Sequence, residues 1–240
     1  MVIARSSSGY LNYTATSSSV AFDNVSGDFM LAFITNQGGS NDIIAPTYNS
    51  VTMTEIGTAV QEGTSGRYLH AYYLKSPATG SHTFASSRSS SADTWCVFVT
   101  YSGTNTTTQP DNSTTQQFAS PINTATTSLT TVADNCWAAL MCQGARDFNA
   151  STGSTFVVNN TSGSFELYDS NAALTPAGSK SMAVTQSPDS AAACTFMVSI
   201  APQAASGPAN LKSYNTNVKA NIKSIDTNLV ANIKSLNTNT

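Results

Sequence analysis

Phe29-Met30-Leu31-Ala32-Phe33-Ile34 is an apolar run without a polar break, only six residues long and closed by Thr35-Asn36. A strand buried on one face alternates apolar with polar residues, whereas a strand buried on both faces reads as a continuous short run. Arg67-Tyr68-Leu69-His70-Ala71-Tyr72-Tyr73-Leu74 repeats the pattern. Both stretches therefore predict strands that are covered on two sides or lie centrally in a sheet.

Around them the chain breaks into short apolar or alternating runs cut by Gly, Asn, Ser and Pro, the pattern of packed antiparallel sheets. Further strands are expected at Ser19–Phe22, Thr52–Val60, Ser81–Ala85, Trp95–Tyr101 and Asn135–Gln143. Thr155–Val158, Phe165–Tyr168, Ser181–Thr185 and Ala192–Ile200 complete the set. Pro77-Ala78-Thr79-Gly80 is a turn, and polar loops are expected over Asn36–Pro46 and Thr104–Gln117. No stretch of residues 1–203 sustains helical periodicity with caps. The expected fold is all-β, an antiparallel β-sandwich of jelly-roll type over residues 1–203.

Gln203-Ala204-Ala205-Ser206-Gly207-Pro208-Ala209 is a linker by composition, so the body ends at 203, the linker takes 204–209 and a tail fills 210–240. The tail holds three copies of an 11-residue unit: Asn210-Leu211-Lys212-Ser213-Tyr214, Asn221-Ile222-Lys223-Ser224-Ile225 and Asn232-Ile233-Lys234-Ser235-Leu236. Its apolar positions are Leu211, Tyr214, Val218, Ile222, Ile225, Leu229, Ile233 and Leu236, a spacing near 3.67 that would suit a right-handed helical supercoil. Against that, 16 of residues 210–240 are Asn, Thr, Ser or Asp, which are poor in helix interiors and favour extended segments. In either form so short and polar a unit needs copies of itself or another surface. These eight residues are the expected assembly contacts, and the partners are other copies of the chain.

Only 10% of residues are charged, against about 25% in ordinary globular domains. Hydroxyl and amide side chains carry solubility instead, which suits dense packing of many copies because like charges do not accumulate. The net charge of −3 hides a split. Residues 1–203 hold six basic and twelve acidic groups, and the tail holds Lys212, Lys219, Lys223 and Lys234 against Asp226. Basic residues this few, without an aromatic or Arg-rich setting, argue against nucleic-acid binding. No run approaches the roughly 20 apolar residues of a membrane helix. Nor does the N-terminal stretch pair a basic region with an apolar one, so no secretory signal peptide is expected.

Hydrolase, P-loop and dinucleotide motifs are missing, and no enzyme, metal or cofactor is expected. His70 and His82 fall in or beside strands and read as structural. Cys96, Cys136, Cys142 and Cys194 lack metal-ligand spacing and read as buried thiols. Asp23, Asn24, Asp28 and Asn41-Asp42 supply the oxygen chemistry calcium takes, but turn residues explain them as well. Tyr48, Tyr68, Tyr72, Tyr73 and Tyr101 could offer rings to a sugar, although strand alternation sends most of them inward.

Gly27-Asp28-Phe29-Met30-Leu31, together with Tyr73-Leu74-Lys75-Ser76-Pro77-Ala78-Thr79-Gly80-Ser81-His82-Thr83, resembles β-sandwich modules of phage virion and tail-associated proteins. The Asn-Ile-Lys-Ser-Ile tail is similar to terminal repeats that follow such modules, with Thr-Asn where many have Gly. The resemblance implies a virion structural protein, a capsid decoration, fibre or tail component. Such a protein would assemble in the host cytoplasm beside other virion proteins. The alternative it implies is an adhesin module that binds a host surface glycan. It carries over no catalytic residue.

Overall fold

The computed structural model describes residues 2–37, 39–63, 66–159, 164–187 and 191–204. The tail contacts expected at Leu211, Tyr214, Val218, Ile222, Ile225, Leu229, Ile233 and Leu236 lie outside the described residues. The first compact unit ends at Ala204.

Ten strands precede residue 103: β1 (Ala4–Tyr13), β2 (Ser17–Asn24), β3 (Phe29–Asn36), β4 (Ile43–Tyr48), β5 (Val51–Thr52), β6 (Thr54–Glu55), β7 (Val60–Gln61), β8 (Tyr68–Lys75), β9 (Gly80–Arg88) and β10 (Thr94–Ser102). One sheet runs β1-β10-β3-β8-β6, with β7 also on β8, and the other runs β2-β9-β4-β5. Every pairing is antiparallel. This order, with β1 to β4 and β8 to β10 alternating between the sheets and the first strand beside the last, is that of a jelly roll.

Eight more strands follow: β11 (Asn112–Ile122), β12 (Thr124–Thr131), β13 (Trp137–Gly144), β14 (Asp147–Ala150), β15 (Thr155–Asn159), β16 (Phe165–Asp169), β17 (Gly178–Ser187) and β18 (Ala191–Ile200). Their sheets run β11-β18-β13-β16-β15 and β12-β17-β14. The second set repeats the order of the first, β11-β18-β13-β16-β15 matching β1-β10-β3-β8-β6 and β12-β17-β14 matching β2-β9-β4, with no counterpart of β5 or β7 among the described residues. Its register repeats too. Phe29 faces Tyr101 and Leu31 faces Val99, as Trp137 faces Ile200 and Ala139 faces Val198. The β2–β9 ladder closes on Asn24 opposite Gly80, and the β12–β17 ladder on Thr131 opposite Gly178. Both glycines have positive φ, at 90° and 139°. The all-β, jelly-roll-type sandwich expected over residues 1–203 is thus present, built as two tandem jelly rolls.

The two long sheets face each other, giving four layers and three cores. In β3, Phe29, Leu31 and Phe33 point into the central core between the sandwiches, while Met30, Ala32 and Ile34 point into the interior of the first. In β13, Trp137, Ala139 and Met141 join the central core, while Ala138, Leu140 and Cys142 fill the second interior. All eight residues of each strand are buried. The unbroken run at 29–34 therefore marks a strand covered on both faces, as expected from the sequence, and the run at 67–74 does so over Leu69–Tyr72, with Tyr68, Tyr73 and Leu74 half-buried. Each fully buried Phe, Leu or Met contributes about 1.5–3 kcal/mol relative to exposure.

Polar contacts pin the halves together. Arg5 pairs with Asp169 through Nε (3.0 Å) and Nη2 (3.2 Å). Tyr101 donates its hydroxyl to the same carboxylate at 3.3 Å. Thr35 Oγ1 donates to Gln143 Oε1, and Arg67 Nη1 to the Gly144 carbonyl.

Several strands differ from expectation. Thr52–Val60 is three two-residue pieces, broken where Gly57 takes φ 59°. The polar segments expected to be loops contain the start of β4 and most of β11. β1, β12 and β14 fall where no strand was expected. In β12, Thr-Ala-Thr-Thr-Ser-Leu-Thr-Thr alternates exposed and buried without break, but its buried positions include Thr127 and Thr131, so hydropathy alone hides the period.

Candidate functional site

Most interior ionisable groups are bonded to a neighbouring side chain, although some buried polar atoms, among them His70 Nε2 and Arg88 Nε, have no partner. His70 lies on β8 inside the first sandwich, 4% exposed, with Nδ1 2.8 Å from Glu55 Oε1 and 3.4 Å from the Tyr72 hydroxyl. Burial pushes its pKa down, against the opposing pull of Glu55. The register places Glu166 and Tyr168 of β16 at the positions of His70 and Tyr72. There the Tyr168 hydroxyl donates to Glu166 Oε2, and the Phe148 N–H also donates to Glu166. Burial raises the pKa of Glu166. Each half thus carries one interior titratable group bonded to the tyrosine two residues on. His82 Nε2 sits 3.0 Å from the Thr79 carbonyl. Neither histidine is paired with a serine hydroxyl or a thiol.

Arg88, whose side chain is fully buried, meets Asp42 at 2.9 Å. Asp42 also accepts from Asn36 Nδ2 and from the Ser89 and Ser90 hydroxyls. Burial pushes the Asp42 pKa up, but the bonds from Ser90 and Arg88 outweigh it and hold the group below its ordinary value. Asn24 is buried and bonds the Gly27 N–H and the Gly27, Pro77 and Ala78 carbonyls. Asp28 accepts from the Gly103 N–H at 2.8 Å. Of the oxygens that resemble a calcium set, those of Asn24, Asp28 and Asp42 are therefore engaged with protein donors, while Asp23 and Asn41 are exposed. Among the described residues no group of three or more His, Cys, Asp or Glu side chains is placed to hold a metal ion.

All four cysteines are free and buried. Burial raises their pKa values, to about 12 for Cys96 and Cys136. Of the tyrosines expected as sugar platforms, Tyr48, Tyr72 and Tyr101 are core residues, while Tyr68 and Tyr73 are half-buried. The ring that sequence reasoning missed is Tyr10, 45% exposed on β1. No signal in a Ser-rich stretch marks it.

Two cavities among the described residues lie along β1. A groove of about 890 Å³ separates β1 from β2, floored by Leu11, Phe22 and Phe98 and rimmed by Tyr10, Asp23 and Val25. Val158 of the second sandwich reaches its far side. Gly9 lets β1 cross the floor, because a Cβ there would stand 2.6 Å from the Phe98 ring. A second cavity of about 650 Å³ continues from Ser7 and Ser8 along Arg5 to Trp137, Thr155 and Asn171. The Trp137 indole N–H is buried there without a partner. On the outer face of β2, β9 and β4, a shallow dish of about 300 Å³ is lined only by Ser17, Ser18, Ser19, Ala45, Thr47, Ala85, Ser86 and Ser87.

The outer sheets share this plainness. Outward positions on β2 and β9 are Ser17, Ser19, Ala21, Asp23, Ser81, Thr83, Ala85 and Ser87. On β12 and β17 they are Thr124, Thr126, Ser128, Thr130, Ser179, Ser181, Ala183 and Thr185. Asp23 is the one charge among these positions, and β14 adds the exposed Asp147 at the edge of the second face. Exposed sheet faces commonly carry long charged side chains, so these two are unusually sparse in charge.

Compared with known proteins, the chain matches no family model and no curated protein.

Proposed function

We propose that this protein is a non-enzymatic structural component of a virion, a capsid decoration, fibre or tail protein that assembles in many copies with itself and with other virion proteins. The observation that carries the reading is the pair of hydroxyl-paved outer faces, sparse in charge, on a body stiffened by three cores. Such faces set few like charges against each other, and the body behind them holds its shape under contact. Jelly rolls serve in capsids and in lectins alike, so the architecture by itself does not decide the role. Interior ionisable groups that serve each other, with no nucleophile–base pair in a cavity among the described residues, favour scaffolding over chemistry. Residues 210–240 are the assembly segment in this reading, contributing Leu211, Tyr214, Val218, Ile222, Ile225, Leu229, Ile233 and Leu236.

Mass in solution tests this. The full chain is expected to form a defined oligomer across a hundredfold dilution, reduced in order when the chain ends at Gln203. A monomeric full chain at every concentration overturns it. The groove beside β1, with Tyr10, Asn12 and Asp23 around an apolar floor, favours a second reading, an adhesin that binds a host surface glycan. Saturable binding on a glycan array, lost in Tyr10→Ala, would support that reading.

A further inference from the structure

We propose that the outer edge of β1 is a pairing edge for a second copy, whose β1 adds antiparallel to it about a two-fold axis at Tyr10. This rests on the many-copy reading above and assigns one of its contacts.

β1 ends its sheet, so alternate N–H and C=O groups face outward. Past the register break between Arg5 and Ser7, its pairing with β10 runs unbroken to Tyr13. That straight stretch has no charge and no proline. Edges of proteins that stay single are shortened, bulged, charged or capped, and the other edges here are. β6 and β7 have two residues each. β15 has five and a register break. β2 carries the exposed carboxylate of Asp23. β12 has its Thr130 carbonyl taken by Asn112 Nδ2. β11, the counterpart of β1, holds Pro121 and breaks register between Phe118 and Ile122. At the places of Gly9 and Tyr10 it has Thr114 and Thr115.

The stretch is also self-complementary. A two-fold at Tyr10 sets Ser8 against Asn12, Gly9 against Leu11 and Tyr10 against its own copy. Outward, a ring pair is flanked by hydroxyl–amide pairs; inward, the smallest residue faces a large one. No like charges meet, and cross-strand aromatic pairs are favourable.

Directly opposed Cβ atoms lie about 4.5–5.5 Å apart, close to disulfide reach. Because the native thiols are buried, Tyr10→Cys in the full chain creates a single reactive one. With copper-phenanthroline as oxidant, two such thiols lose two electrons and two protons and join. Most of the protein is expected to become a dimer that reducing agent reverses. Val132→Cys, at a site 72% exposed just past β12 in the second sandwich, is expected to remain single. Adding Ser8→Lys and Asn12→Lys opposes like charges across the axis. That change should slow cross-linking roughly fivefold or more without lowering the melting temperature. Failure of Tyr10→Cys to dimerise faster than Val132→Cys overturns the proposal. If the full chain is oligomeric by mass in that case, edge pairing alone has failed. If it is monomeric, the many-copy reading has failed too.

Discussion

Phe196→Ala tests whether the two jelly rolls are one folding unit. Phe196 is 1% exposed on β18 and meets Phe33 of the first sandwich edge-on, ring centroids 6.2 Å apart. Removing a buried Phe side chain costs about 3–5 kcal/mol, transfer and cavity together. The central core is built on two rigid sheets, so little collapse should relieve the cavity, and the upper part of the range applies. In a body of about 200 residues each kcal/mol moves Tm by about 2–4 °C, so the drop should be roughly 8–20 °C. The chain carries a natural reporter in each half, Trp95 on β10 and Trp137 on β13. Single-Trp variants, Trp95→Phe and Trp137→Phe, let each sandwich be followed alone by fluorescence during melting. Because the lesion lies in a shared core, both reporters should shift together and agree with one calorimetric transition. If the Trp137 signal moves while Trp95 stays at its parental temperature, the halves are independent domains and the central core is only a contact.

Other outcomes follow from single sites. The native protein should leave a thiol reagent such as DTNB unreacted over an hour and release four equivalents in denaturant, since all four cysteines are buried; early release would disprove the packing of the three cores. Burial lowers the pKa of His70 below 6.5, so between that depressed value and 6.5 the unfolded chain binds a proton the native one does not. Stability from this site is present above pH 6.5 and lost as pH falls through that window. His70→Gln should therefore flatten the acid limb of a urea-stability profile, and an unchanged slope would place the imidazole in water. Gly103→Ala should cost about 2 kcal/mol or more. Its φ is +71° and a Cβ would sit 2.3 Å from the Val2 carbonyl; a neutral result by chemical denaturation would mean the N-terminal segment is not held there. Asp42→Asn should destabilise by about 3 kcal/mol, because it leaves the buried Arg88 guanidinium uncompensated.

The apolar runs at 29–34 and 67–74 announced the double-faced strands, because only a strand dry on both sides lacks polar alternation. The all-β class followed from them and from the turn residues. What stayed hidden was the duplication. Between Pro77–Ser86 and Thr175–Val184 the halves keep Gly80 and Gly178, Ser81 and Ser179, Ala85 and Ala183, and little else. The fold constrains an outward small residue or an interior apolar one, not its identity, so Phe84 can become Met182 and His70 can become Glu166. β1 and β12 were missed for a related reason. Their inward faces rest partly on Gly9, Thr127 and Thr131, whose burial depends on hydrogen bonds and close approach more than on hydropathy. The groove beside β1 was not legible because it arises from two edge strands of different sheets meeting a third from the other half.

Joining two jelly rolls in one polypeptide has a further consequence. In a dimer of identical subunits every surface feature occurs twice, and selection on one copy alters both. Here Gly9 and Tyr10 stand on one side while Thr114 and Thr115 stand on the other, so the two flanks have diverged while the shared core has kept their common frame. A symmetric particle closes only when each neighbour offers the right flank once. Covalent duplication lets a near-symmetric body have a front and a back.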